Sequence, residues 1–334
     1  MKKIYLVTGS AGFIGFHLTK NLLSAGFKVI GIDALTNYYD KNLKLARNNI
    51  LKKHNNYIFY EENLENKLEI KNIFQQHEIE VIIHLAAQAG VRYSIENPEE
   101  YMSTNIIGSF NLLEIIKDLK IDHLLLASTS SIYGANTELP FKEIQKTDHQ
   151  ISTYAATKKA MEIISHSYSH IYEIPTTVFR FFTVYGPWGR PDMALFKFTN
   201  NILKGFPIDV YNNGEMKRNF TYIDDLIKSI LKLIPIIPSL SKSKFIDDSL
   251  SNVAPWRVVN IGGGEQTHLM DFIKALELEL GKKANKNFLE MQTGDVIETE
   301  SSNKLLENLT NYSPSTNIQY GIKQFVNWYR QYNE

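Results

Sequence analysis

The chain has 334 residues, 36 Lys and Arg against 36 Asp and Glu, a formal net charge of zero and no cysteine. A neutral surface offers no basic field to draw nucleic acid or an anionic bilayer, and without cysteine there is no disulfide framework, thiolate nucleophile or cysteine-ligated metal. With 43% hydrophobic residues the chain can bury a large core, expected as two lobes. The N-terminus runs straight into an apolar strand pattern, with no signal-peptide cleavage pattern and no apolar stretch long enough to cross a bilayer. No nucleic-acid, membrane or metal partner is expected, and the expected location is cytoplasmic.

In chain order, residues 3–7 read as a short β-rich run, followed by Thr8-Gly9-Ser10-Ala11-Gly12-Phe13-Ile14-Gly15 and a helical pattern through Leu18 and Leu22. This is strand, glycine turn, helix. Gly9 permits the tight turn, Gly12 lets a backbone approach a pyrophosphate, and Gly15 allows close helix packing, while the free amides of the helix N-terminus face phosphate charge. A second strand at 28–32 ends in Asp33, placed to accept hydrogen bonds from adenosine ribose hydroxyls. An aspartate there repels a 2′-phosphate, which favours NAD over NADP.

Further strands are read at 57–60, 81–85, 124–128 and 177–181, with helical patterns between them, so a doubly wound parallel sheet is expected. Ligands of such sheets bind beyond the carboxyl ends of the strands, where this chain places Gly9, Asp33, Ala86, Thr129 and residues 180–183. After Gly186 the pattern loosens, punctuated by Pro187, Pro191 and Pro207, and predicts a smaller substrate lobe. Residues 235–255 predict an exposed loop before 257–261 return to the sheet.

Tyr154 is the only one of 18 tyrosines with a lysine four positions on, and that residue, Lys158, lies 30 residues behind Ser128-Thr129-Ser130-Ser131. On a helix the two share a face, so the ammonium is expected to sit beside the phenol and lower its pKa toward that of a general base. His84, at the end of a buried strand and without paired ligand spacing, predicts a local hydrogen bond rather than a metal ligand. Glu277 and Glu279 are expected on a solvated helix face, and Met216 and Met270 in the core.

Together these residues resemble the extended short-chain dehydrogenase/reductase superfamily, specifically its nucleotide-sugar epimerases, over nearly the whole chain. The resemblance is carried by residues 8–15, His84-Leu85-Ala86-Ala87, Asn105, the hydroxyl cluster before Ile132-Tyr133-Gly134, Tyr154 with Lys158, and Arg218-Asn219-Phe220-Thr221-Tyr222-Ile223-Asp224-Asp225. Within it, Gly31-Ile32-Asp33 followed by Asn37-Tyr38-Tyr39-Asp40, the run Gln88-Ala89-Gly90-Val91-Arg92-Tyr93-Ser94, and residues 183–194 look like UDP-glucuronate 4-epimerases. The implied fold is α/β: a Rossmann-type doubly wound parallel sheet with a smaller mixed α/β C-terminal substrate lobe. The NAD-binding part would be 1–180 with returning segments near 220–235 and 256–266, and the nucleotide-sugar lobe 181–219 and 267–334.

The resemblance implies an isomerase. Tyr154, helped by Lys158 and the nicotinamide charge, would take the proton of the sugar 4-hydroxyl as hydride leaves the same carbon, with Thr129 orienting that oxygen. The 4-keto sugar then turns and receives the hydride on its other face. Gly9, Gly12, Phe13, Ile14, Gly15, Asp33, Asn63, Leu64, Leu85, Ala86, Ala87 and Asn105 are the implied NAD contacts, beside Tyr154 and Lys158. Because a 4-ketone beside a 5-carboxylate tends to lose carbon dioxide, Ser130, Ser131 and Thr183 are implied to grip the carboxylate, with Arg190 its ionic partner at the mouth. Arg218 and Asp295 match positions that contact UDP, and Arg92 lines the sugar pocket or caps the following helix.

The sequence departs from the pattern at Asn63 and Asn219, both in place of aspartate, and at Thr293 in place of proline. The nearest alternative is a 4-epimerase of a neutral or N-acetylated UDP-hexose. A 4,6-dehydratase would need an Asp-Glu pair where Ser130-Ser131 stand, and a UDP-glucuronate decarboxylase an acidic residue near Ser131. A non-catalytic NAD-binding scaffold is disfavoured by the intact Thr129, Tyr154 and Lys158 set. Two helices, one beginning near Tyr101 and one from Tyr154 to Tyr168, read as apolar on more than one face and predict a homodimer. The resemblance further implies supply of sugars for cell-surface polysaccharide.

Overall fold

The computed structural model describes residues 3–240, 245–292 and 294–333. The expectation for Thr293, and that for 241–244 of the exposed loop, lie outside the described residues. The first half alternates strictly: β1 (Ile4–Thr8), α1 (Phe13–Ser24), β2 (Lys28–Asp33), α2 (Lys41–Leu51), β3 (Tyr57–Glu61), α3 (Lys67–Gln76), β4 (Val81–His84). Then come two one-turn helices, α4 (Tyr93–Glu96) and α5 (Pro98–Tyr101), a π-helical stretch Met102–Gly108, and α6 (Ser109–Ile116). β5 (His123–Thr129) runs into a 3-10 turn, Ser130–Tyr133, and α7 (Thr153–Tyr172) leads to β6 (Thr176–Phe181).

Strands β1 to β6 join a seventh, β10 (Trp256–Ile261), in one sheet of order β10-β6-β5-β4-β1-β2-β3, every pairing parallel. Parallel strands need crossover helices on both faces, so the central strands are apolar on both sides. All residues of β4, β5 and β6 are buried. The strand order reverses between β1 and β4, and the crevice that opens beyond their carboxyl ends is where such sheets bind ligands.

The rest of the chain adds β7 (Thr183–Tyr185), α8 (Ala194–Lys204), β8 (Ile208–Tyr211), β9 (Lys217–Tyr222), α9 (Ile223–Leu233), β11 (Gln266–His268), α10 (Leu269–Leu280), β12 (Lys286–Leu289), α11 (Lys304–Thr310) and α12 (Ile318–Asn333). These form a three-stranded sheet, β11-β9-β7, and a two-stranded one, β12-β8, above the crevice. The two parts share a core. One cluster runs unbroken from Val7 and Phe16 through Phe179 and Tyr185 to Phe272 and Phe325, while the sheet's other face packs Leu6, Ile82, Leu124 and Met161 under α3, α6 and α7.

Three expectations shift. The helix read from Tyr101 is interrupted by the π-helical stretch, which adds a residue to the turn and brings Asn105 inward to 1% exposure. Glu277 is not solvated: it is 6% exposed and accepts from Ala284 N, Lys283 and Lys286, which hold its carboxyl down to about 2. Met270 is 37% exposed rather than core, because it lies at the first turn of α10 over the Gly214 bend.

Candidate active site

The crevice is a cavity of about 890 Å³, at the large end of ligand sites. One arm follows the glycine turn. Gly9 has φ of +71°, and a Cβ there would lie 2.9 Å from Ala86 N; a Cβ on Gly15 would lie 2.0 Å from the Gly9 carbonyl oxygen. Only glycine lets this turn press on both the end of β4 and the start of α1. The N-terminus of α1 is capped by Gly12 without a side-chain bond, and its first turn carries no acidic residue, so its amides are open to an anion.

Asp33, at the end of β2, is 9% exposed and accepts from Ala11 N at 3.0 Å and Leu35 N at 2.9 Å. Burial pushes its carboxyl up in pKa, against those two bonds and the nearby Lys44. The same arm is walled by Phe13, Ile14, Asn63, Leu64, Leu85, Ala86 and Ala87. Asn105 does not line the cavity; it accepts from Gln88 N at 2.8 Å and donates to Gln88 O and Thr157 Oγ1 at 3.0 Å, tying the loop after β4 to α7. His84 engages Thr8 Oγ1 at 2.8 Å and Ser109 Oγ at 2.9 Å, and burial lowers its pKa to about 3, so it stays neutral.

Where the arms meet, Thr129, Tyr154 and Lys158 face the cavity. Ser152 caps α7 by accepting from Ala155 N at 3.2 Å, which starts the helix at Thr153, one residue before Tyr154. Tyr154 and Lys158 share a helix face, but the Lys158 ammonium donates to the Ala127 carbonyl at 2.8 Å. This corrects one expectation: the Tyr154 phenol is raised in pKa, not lowered, because burial outweighs its hydrogen bond with Thr129 and the field of Arg190. Lys158 is itself lowered to about 8 by burial. Thr129 caps the 3-10 turn, accepting from Ser131 N and donating to Ser131 Oγ, both at 3.2 Å, and so aims Ser130 and Ser131 at the cavity opposite Thr183 of β7.

Arg190 reaches the same chamber already paired. Its Nε donates to Asp192 Oδ1 at 3.0 Å and its Nη2 to Asp192 Oδ2 at 2.5 Å and Ala89 O at 3.3 Å, while Tyr38 donates to Asp192 at 3.1 Å. At the far end, Arg92 pairs with Asp295 at 3.0 Å and lies 4.4 Å over the ring of Tyr211. Arg218 donates to the carbonyls of Lys217, Val296 and Ile297 and has no ion pair with a carboxylate among the described residues. It is therefore free to neutralise an incoming anion.

Lys44, Tyr38, Asp192 and Tyr211 also line the cavity, although no local pattern in the sequence gives them a role. Tyr38 and Asp192 lie in the motifs at 37–40 and 183–194, but their meeting across 154 residues is a product of the tertiary fold.

A seven-stranded parallel sheet with a glycine turn at its switch point and a tyrosine-lysine helix beside it defines a dinucleotide-binding enzyme of the short-chain dehydrogenase type. The chain belongs to the NAD dependent epimerase/dehydratase family, whose model matches residues 5–239. It is 52% identical to a probable UDP-glucuronate 4-epimerase of Rhizobium meliloti (strain 1021), over 98% of this chain and 97% of that one. The UDP-glucuronic acid 4-epimerase of Bacillus cereus, solved with UDP-glucuronic acid and NAD, superposes with a TM-score of 0.88 at 33% identity, covering 98% and 99% of the two chains. The UDP-glucose 4-epimerase of Thermotoga maritima, solved with UDP-glucose, gives 0.85 at 28% identity, covering 99% and 100%. The cofactor of the family is NAD, and the glycine turn, the open N-terminus of α1 and Asp33 fit it.

Proposed function

We propose that the chain interconverts UDP-glucuronate and UDP-galacturonate as an NAD-dependent 4-epimerase. The observation that carries this reading is the meeting in one chamber of Tyr154, Lys158 and Thr129 with three further hydroxyls, Ser130, Ser131 and Thr183, and one guanidinium, Arg190. The relatives and solved structures named for UDP-glucuronate 4-epimerisation support it. NAD, when bound, supplies the hydride acceptor and a positive ring.

The chain's own residues do the rest. Gly9, Gly12, Gly15 and the amides of α1 hold the pyrophosphate, Asp33 the adenosine ribose, and Asn63 with Leu64 the adenine. Thr129 and Tyr154 hold the 4-oxygen of the sugar, and Tyr154 takes its proton and later returns it to the epimeric oxygen. A buried phenol raised in pKa is a poor base until positive charge is near it, so proton removal is confined to the loaded site. Ser130, Ser131 and Thr183 bond the carboxylate, and neutral hydroxyls grip it without pinning the ring that must turn. Arg190 must share its guanidinium between Asp192 and the sugar carboxylate. Arg218, Arg92 and Asp295 hold the UDP end.

The division of the chain into an NAD-binding part (1–180, with returning segments near 220–235 and 256–266) and a nucleotide-sugar lobe (181–219 and 267–334) belongs to this reading. So do a homodimer and a cytoplasmic location; among the described residues no helix is long and apolar enough to cross a membrane.

A 4-epimerase of a neutral UDP-hexose is the second reading, favoured by the pairing of Arg190 with Asp192, which already engages the guanidinium nearest the hydroxyls' chamber. Proton NMR of the purified protein with NAD and UDP-glucuronate, UDP-glucose or UDP-N-acetylglucosamine decides. UDP-galacturonate formed from UDP-glucuronate, with the neutral sugars unchanged, is the expected result. Turnover of a neutral sugar alone would overturn the substrate, and a UDP-pentose would mean decarboxylation.

A further inference from the structure

Behind the Tyr154-Lys158 face lies a buried polar cluster that the mechanism above does not use. Glu162 follows Lys158 by four residues, so Tyr154, Lys158 and Glu162 stand one above another on the inner face of α7. Glu162 is 1% exposed and receives both ends of the Arg180 guanidinium, Nε at 3.1 Å and Nη2 at 2.9 Å. Arg180, on β6, is itself 3% exposed; its Nη1 donates to the Tyr133 hydroxyl and the Glu143 carbonyl, each at 3.1 Å. Tyr133 in turn donates to Asn260 Oδ1 at 2.8 Å, and Glu143 accepts from Asn260 N at 2.8 Å.

A buried ion pair is weak evidence for stability, because desolvating both charges offsets their attraction. Its position says more. The Lys158 ammonium, 4% exposed, finds one carbonyl, Ala127 O, and no carboxylate within ion-pair distance among the described residues. The ionisable groups around it are Glu162 on its own helix, His84 at the end of β4, neutral by burial, and Tyr154. Lys159 and Arg180 face Glu162 rather than Lys158. Glu143, held near neutrality in its titration by burial, faces Arg180 from the far side.

We propose that Glu162 is a positioning residue for the reaction: clamped by Arg180, it is the buried counter-charge that keeps Lys158 cationic beside Tyr154. The inference rests on the reading of Tyr154 and Lys158 as the proton-handling pair. Burial lowers Lys158, which comes to about 8 with Glu162 as the carboxylate that opposes the fall. Without it the lysine loses its proton closer to neutral pH, and the field that favours phenolate goes with it.

The test is the pH profile of kcat/KM for UDP-glucuronate epimerisation by the full-length, NAD-loaded protein. In Glu162→Gln the alkaline limb is expected to move toward neutral by about one pH unit, a change of ~10-fold in rate at a fixed alkaline pH. Glu162→Leu with Arg180→Met removes both charges, leaves no orphan ion to unfold the protein, and is expected to show the same shift. A limb that stays in place in the double variant overturns the proposal, whatever happens to Tm. A limb that moves only in Glu162→Gln also overturns it, because the effect would then belong to an unpaired Arg180. Tyr154→Phe separates the two readings: if it stays active, the Tyr154-Lys158 assignment fails; if it is inactive and the limb is unmoved, only the role of Glu162 fails.

Discussion

Tyr154 shows how little spacing alone says about a side chain's state. Four-residue periodicity places Lys158 on its face, but the ammonium turns to Ala127 O, and burial raises the phenol instead of lowering it. What the sequence could not show is desolvation, which depends on the closure of α5 and α7 over the ring; Tyr101 lies edge-on to Tyr154 with centroids 6.0 Å apart. Removing the phenolic oxygen leaves that packing intact. Tyr154→Phe is expected to lower kcat by ~10²–10⁴-fold, the usual worth of a general acid-base group, while NAD still binds. Steady-state rates with NAD content read by absorbance check this; activity within a few-fold of the parent would remove Tyr154 from proton transfer.

At the scale of elements, the glycine turn was the most legible feature, because the conformational demand and the residue that meets it are both local. Gly9 and Gly15 are needed for the close approach of turn, β4 and α1, and a side chain at 15 meets the Gly9 carbonyl at 2.0 Å. Gly15→Ala is therefore expected to push α1 off the turn and weaken NAD binding by at least ~10-fold, the loss of roughly one good hydrogen bond to a charged group. Isothermal titration with NAD measures it, and unchanged affinity would show that the turn relaxes without cost. The strands β1 to β6 and β10 were legible for a similar reason: their apolar runs are short, β-rich and bounded by turn residues. The π-helical stretch at Met102–Gly108 was not, since nothing in its composition separates it from α-helix. Its reason is tertiary, the bonds from Asn105 to Gln88 and Thr157. Glu277 was misread because helical periodicity could not foresee Lys283 and Lys286 folding back from beyond α10.

For the whole molecule, one core runs from the seven-stranded sheet into the later segments, and the chamber is lined from both, with Ser130 and Ser131 after β5 and Thr183, Arg190 and Arg218 from the later segments. Sequence reading found the residues but not the meeting of Tyr38, Arg190 and Asp192, a contact between segments about 150 residues apart. The outer faces of the Pro98–Ile116 stretch and α7 remain apolar: Met102 and Ile107 are 50% exposed, Ile163 56% and Ile171 64%. We propose that these faces form a subunit contact, in which a two-fold arrangement would pair them in a four-helix interface. Light scattering is expected to give twice the 38.4 kDa chain mass, and Ile163→Asp to shift it toward the monomer. A monomeric parent protein would contradict the dimer.

In the proposed reaction hydride leaves carbon 4 of the sugar and returns to that same carbon from within a closed site, with Tyr154 handling the proton. The most direct measurement uses UDP-glucuronate carrying deuterium at position 4, incubated with the NAD-loaded protein in ordinary water and followed by NMR. The expected product is UDP-galacturonate with the deuterium retained at carbon 4. Loss of the label to solvent, or recovery of labelled UDP-glucuronate with no epimer, would contradict it.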